Sequence, residues 1–148
     1  NDYFSFSAGD EVIKQLADII VEKCSSKLEM VGHIGGDDFV VIFRSSDWER
    51  KCQDILTDFK SFTLKFYSKE EIAQQGIWYQ DRKGEPNFFQ LLSLAIGVVQ
   101  PDLSHPITHH DVAELASKAK KQAKLTSGNH LFISACHTQH YNSEISMH

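Results

Sequence analysis

Five residues, Gly35-Gly36-Asp37-Asp38-Phe39, stand between two apolar, β-branched segments, Leu28 to Ile34 and Val40 to Phe43. This pattern predicts a β-hairpin whose turn is the Gly-Gly-Asp-Asp element. Glycine admits positive φ and brings the backbone close to anything bound above the turn. Two adjacent carboxylates there have an ordinary reading as a solvated turn, because Asp is a common turn residue. They also have a second reading: the apolar flanks fix the tip on a rigid sheet, where carboxylates can hold a metal ion.

Around this hairpin the chain alternates between helical and extended patterns. Residues 8–25 read as a helix, with Val12, Leu16, Ile19, Ile20 and Lys23 at helical spacing. Ser46-Asp47-Trp48-Glu49 has the form of a capping box opening a second helix, with Trp48, Cys52, Ile55, Leu56, Phe59 and Phe62 on one apolar face. Residues 63–67 alternate like a strand, and Ser68 to Gln75 read as a short helix stopped by Gly76. Ile77 to Gln80, a turn at Asp81-Arg82-Lys83-Gly84 and the run Phe88 to Val99 predict a second hairpin. Thr108-x-x-Asp111 caps a third helix through Lys124, closed near Ser127-Gly128, and Leu131 to Ser134 is a last short strand. Residues 135–148 are polar and aperiodic, and read as a frayed tail. Helices and strands interleaved in this way imply an α/β sandwich of the α+β kind, with helices packed on a largely antiparallel sheet.

At 148 residues the chain is long enough for one domain with a substantial core. A net charge of −5 argues against a general nucleic-acid-binding surface, so an anionic ligand must be met by local cations. Cys24, Cys52 and Cys136 are odd in number and form no C-x-x-C, which suits a reducing cytoplasm, with Cys24 and Cys52 as core residues. No apolar run reaches 18 residues, so no membrane span is expected. Of the eight histidines, His105, His109 and His110 cluster, but their spacing is not that of a zinc site. The first residue is not Met and lies inside a motif, which reads as a piece of a larger protein.

Gly35-Gly36-Asp37-Asp38-Phe39 resembles the signature of the GGDEF family, the diguanylate cyclases. Two further blocks agree in order. Asn1-Asp2-Tyr3-Phe4 with Gly9-Asp10 resembles the family's Asn-Asp-x-Tyr-Gly-His-x-x-Gly-Asp. Ser93-Leu94-Ala95-Ile96-Gly97-Val98, with Ala116 to Lys124 and Gly128-Asn129, resembles its Ser-Ile-Gly strand, Ala-rich helix and Gly-Arg-Asn. The likeness covers most of residues 1–134, with about 63–90 as an insertion. It implies the ferredoxin-like nucleotidyl-cyclase fold, GTP as substrate, Mg²⁺ (or Mn²⁺) as cofactor, and a homodimer that condenses two GTP into cyclic di-GMP and pyrophosphate. A neighbouring sensory or phosphodiesterase domain would complete a bacterial second-messenger protein.

By the same resemblance, Asp37 and Asp38 are the catalytic acidic pair, with Asp38 at the metal position, and Gly35 and Gly36 lie against the nucleotide. Asn1 and Asp10 match guanine-reading residues; an amide and a carboxylate are suitable partners for that edge. Asn1 is otherwise only the chain's first residue, and Asp10 otherwise a helix N-cap. Lys124 matches a phosphate-binding lysine, or is one of a solvated run with Lys118, Lys120 and Lys121.

Several positions depart from the family pattern. Asp38 replaces Glu, one methylene longer; His33 replaces Arg; Ser5-Phe6 replaces Gly-His; and no Arg follows Gly128. The product-inhibition motif would fall at Lys27 to Met30, where Met30 cannot take its acidic role. His33 reads as a packing or hydrogen-bonding residue. The family's first strand, which carries another metal-binding Asp, would precede Asn1. Its central place would be taken by the tail, by a strand from 63–90 or, as the favoured expectation, by a second copy of the chain. Three functions are open: a cyclase domain, a degenerate GTP-binding module that regulates an attached domain, or a structural or dimerising domain without nucleotide, with Asn1, Asp10 and Asp37 favouring the first two.

Overall fold

Val12, Leu16, Ile19 and Ile20 are buried along one side of α1 (Phe6–Lys23), as their helical spacing predicts. They share the core with Cys52, Ile55, Leu56 and Phe59 of α2 (Trp48–Thr63) and with Cys24, and Lys23 closes the helix pair with a 3.0 Å ion pair to Asp58. That hydrogen bond and the charge of Asp58 raise the pKa of Lys23. Burial pushes the Cys24 thiol up and the Cys52 thiol up to about 11, as expected of inert core cysteines.

The computed structural model describes residues 6–101, 104, 106–125 and 128–133. The expectations for Asn1 and for residues 135–148 lie outside this set. The chain divides into two compact units, Asn1–Ser93 and Leu94–His148.

In the first unit the central hairpin is formed as predicted: β1 (Glu29–Gly35) runs antiparallel to β2 (Asp38–Phe43). Its base is tied to α2, because Lys51 bonds the carboxylate of Glu29, which Ser26 and Ser45 also bond. The expected capping box at Ser46 does not form. Asp47 is the N-cap, and its side chain makes no cap bond; instead it pairs with Arg50 at 3.0 Å and Lys51 at 3.5 Å. A hydrogen bond from Ser45 is the main cause of the lowered pKa of Asp47.

Residues 63–67 are not a strand. α2 continues into a 3-10 turn, Leu64–Phe66, with Thr63 buried and Phe62 edge-on to Phe66 at 5.2 Å. The alternation was real but coincided with the i, i+4 spacing of a helix face. Ser68 and Glu71 form a reciprocal capping box on α3 (Lys69–Ala73). Gln75, at φ 63°, makes the left-handed exit that the sequence assigned to Gly76. Gly76 instead begins β3 (Gly76–Gln80), where a Cβ would lie 2.4 Å from both the Phe88 ring and the Phe89 carbonyl. β3 pairs antiparallel with β4 (Pro86–Gln90) and, among the described residues, only with β4. Among the described residues this hairpin therefore adds no strand to β1–β2.

The extended run 88–99 is interrupted at 91–94, and its second half is β5 (Ala95–Val98) of the second unit. α4 (His109–Leu125) opens as predicted: Thr108 N–H donates to Asp111 Oδ2 at 2.9 Å, and Asp111 N–H to Thr108 Oγ1 at 3.2 Å. Leu115, Ala119 and Ala123 are buried at i, i+4 and i+8. The chain then returns as β6 (His130–Ile133), parallel to β5. Among the described residues the six strands form three two-stranded sheets, two antiparallel and one parallel. The described residues form a mixed α+β arrangement with four α-helices, and no described helix is long and apolar enough to cross a membrane.

Candidate functional site at the hairpin tip

The tip is a two-residue connection, Gly36-Asp37, with Gly35 paired to Asp38 across it. Gly36 has φ +53° and Gly35 φ +151°, backbone that a side chain would strain, which is why this turn is written with two glycines. Below the turn the register jumps. His33 faces Phe39, yet Gly35 faces Asp38, so Ile34 is an extra residue that bulges out and is 73% exposed.

This local geometry places the acidic pair. Asp37 is exposed on the turn, whereas Asp38, the first residue of β2, is half-buried. His33 stacks flat on Phe39, with ring centroids 4.3 Å apart and planes 9° apart, and its Nε2 lies 2.8 Å from the Gly36 carbonyl oxygen. The packing and hydrogen-bonding role read for His33 from sequence is the one it has.

Gly35, Gly36, Asp37 and Asp38 are thus gathered on one turn. Asp10 is not at a helix N-cap: α1 begins at Phe6, and Asp10 is exposed within it. Lys124 is exposed in the last turn of α4, in the second unit. Among the described residues no three His, Cys, Asp or Glu side chains are grouped to hold a metal, so Asp10 does not join Asp37 and Asp38 in one ligand set. The tilted ring pair His109 and His110, with centroids 4.1 Å apart, likewise belongs to no such group.

Oxygen donors on adjacent residues suit Mg²⁺ or Mn²⁺ bound through one or two carboxylates, with water and substrate oxygens completing the shell. They do not make an all-protein cage. At the other end of the hairpin, where the sequence places the Lys27 to Met30 motif, a cavity of about 90 Å³ is lined by Lys27, Leu28, Glu29, Met30, Ile42 and Arg44.

Asn129 has a role that the sequence did not reveal: its Oδ1 accepts the Leu94 N–H at 2.7 Å, joining the approaches to β5 and β6. Glu29 is a second such residue, and its signal in the sequence is a charge within an apolar strand, which needs a partner. Compared with known protein families, curated proteins and solved structures, the chain matches none.

Proposed function

We propose that this chain is a nucleotide-handling signalling domain whose working end is the tip of the β1–β2 hairpin. Within that class we assign it to the GGDEF type, with GTP as ligand, Mg²⁺ or Mn²⁺ as cofactor, a ferredoxin-like nucleotidyl-cyclase arrangement and a homodimer as the productive form. The observation that carries this reading is the Gly36-Asp37 connection, which puts two carboxylates side by side at the end of a paired hairpin with glycine backbone open beside them.

A metal at the tip would neutralise phosphate charge and favour attack of a 3′-hydroxyl on an α-phosphate. Asp37 and Asp38 would hold it, and Gly35 and Gly36 would let phosphate or sugar approach without a side chain in the way. Asn1 and Asp10 are proposed to read guanine, and Lys124 to meet a phosphate.

The regulatory reading stands beside the catalytic one because Asp38 is shorter than the family's Glu, and no third acidic group joins it among the described residues. We therefore expect this chain to bind GTP with Mn²⁺ but to yield no cyclic di-GMP. Calorimetry with GTP and Mn²⁺, alongside chromatography of the products, tests both parts. Equal binding by the double variant Asp37→Asn, Asp38→Asn would remove the tip from the reading; cyclic di-GMP formed by the unaltered chain would decide for the enzyme.

A further inference from the structure

The turn that carries Asp37 and Asp38 is weakly constrained by its own backbone. The bulge at Ile34 interrupts the ladder between the His33–Phe39 and Gly35–Asp38 pairs, and both glycines sit at positive φ. Glycine has more conformational freedom to lose than any other residue, so this segment needs an external restraint to hold one shape.

Resting on the reading of the tip as the site, we infer that His33 is a positioning residue for the acidic turn. Its ring bonds the Gly36 carbonyl at 2.8 Å and stacks on Phe39 at 4.3 Å. Asp37 and Asp38 are the two residues between those anchored points. One side chain, rooted in β1 before the bulge, therefore holds the turn at its first residue and at its return into β2.

The hydrogen bond also fixes the proton. A carbonyl oxygen only accepts, so Nε2 must carry the hydrogen, and in the neutral ring Nδ1 is bare. A phenyl ring in this place would keep the stack and lose the donor. A Gln would keep an N–H donor and lose the stack.

Nuclear magnetic resonance on the whole chain tests this, using His33→Ala, His33→Phe and His33→Gln. In the unaltered chain the imidazole nitrogens should show the Nε2–H tautomer, with a through-bond coupling to the Gly36 carbonyl carbon. In His33→Ala, hydrogen exchange at residues 36–39 should quicken at least tenfold, while the amides of α1 and α2 keep their protection. The Phe and Gln variants should fall between. Mn²⁺ titration, read as relaxation of the Asp37 and Asp38 amides, should weaken in the same order. An Nδ1–H tautomer, or unchanged exchange at 36–39 in His33→Ala, would overturn the inference. Absence of Mn²⁺ relaxation in the unaltered chain, with exchange still quickened in His33→Ala, would instead overturn the metal site and leave the restraint on the turn supported.

Discussion

Lys51, near the start of α2, bonds the carboxylate of Glu29 at the start of β1, and that carboxylate has no exposed surface, while the Lys51 side chain is 13% exposed. Two serine hydroxyls, from Ser26 and Ser45, complete its environment. The base of the hairpin is thereby locked to the helical core at the end opposite the acidic turn.

Removing the cation from such a pair leaves a buried charge uncompensated, which costs about 3–5 kcal/mol. Lys51→Met should lose that much stability in urea unfolding. Glu29→Gln added to it should restore most of the loss, because the stranded charge is then gone. A Lys51→Met variant within about 0.5 kcal/mol of the unaltered chain would show that water reaches Glu29.

Gly97 sets the closest approach of β5 to α4. A Cβ there would lie 2.4 Å from the Lys120 nitrogen and 2.5 Å from the Ala119 carbonyl carbon. Both are backbone atoms, so neither can turn aside as a side-chain tip would. Gly97→Ala should destabilise by about 1–3 kcal/mol or more through overpacking, read as a lowered urea midpoint with an unchanged slope. Gly84→Ala, with open space around its Cβ but φ +79°, separates backbone strain from steric conflict.

The hairpin could be read from sequence because its information is local: β-branched flanks, two glycines and a two-residue turn need no distant partner. The helix faces of α1 and α2 followed from residues at helical spacing, and the pairing of Thr108 with Asp111 from a cap only four residues long. What could not be read was non-local. Residues 63–67 alternate, yet the helix before them carries on because Thr63 and Phe66 find neighbours there. The bulge at Ile34 depends on how β1 and β2 register, and the partner of Glu29 lies 22 residues away in α2. At the tip, the acidic pair was visible in the sequence, whereas the half-burial of Asp38 and the restraint by His33 required the paired strands.

Cys52 supplies a pH dependence. Burial raises its thiol pKa to about 11 from an ordinary 9.0, so the folded chain keeps a proton that the unfolded chain loses first. The stabilisation is present in full below about pH 9 and is lost as pH rises toward 11, on the order of 2 kcal/mol in all. Comparison of unfolding free energies for the unaltered chain and Cys52→Ala across that window should show the steeper fall in the former. Slow alkylation of Cys52 at pH 8 would agree with the same burial, and rapid alkylation in the folded state would contradict it.

Asp38→Glu tests whether the length of one side chain limits the proposed chemistry. Asp38 starts β2 directly after the turn and is half-buried. Mg²⁺ requires near-octahedral geometry and gives up its waters reluctantly, so a ligand one methylene short is poorly tolerated. If that is the limiting defect, Asp38→Glu should form cyclic di-GMP at least tenfold above background, equivalent to about 1.4 kcal/mol of barrier. Asp38→Ala provides the baseline, and GTP affinity measured in parallel separates binding from turnover. Tighter Mg²⁺ binding without more product would assign the tip to ligand holding and favour the regulatory reading. No change in either quantity would mean that Asp38 does not meet the metal, and the search for the ligand would move to Asp37.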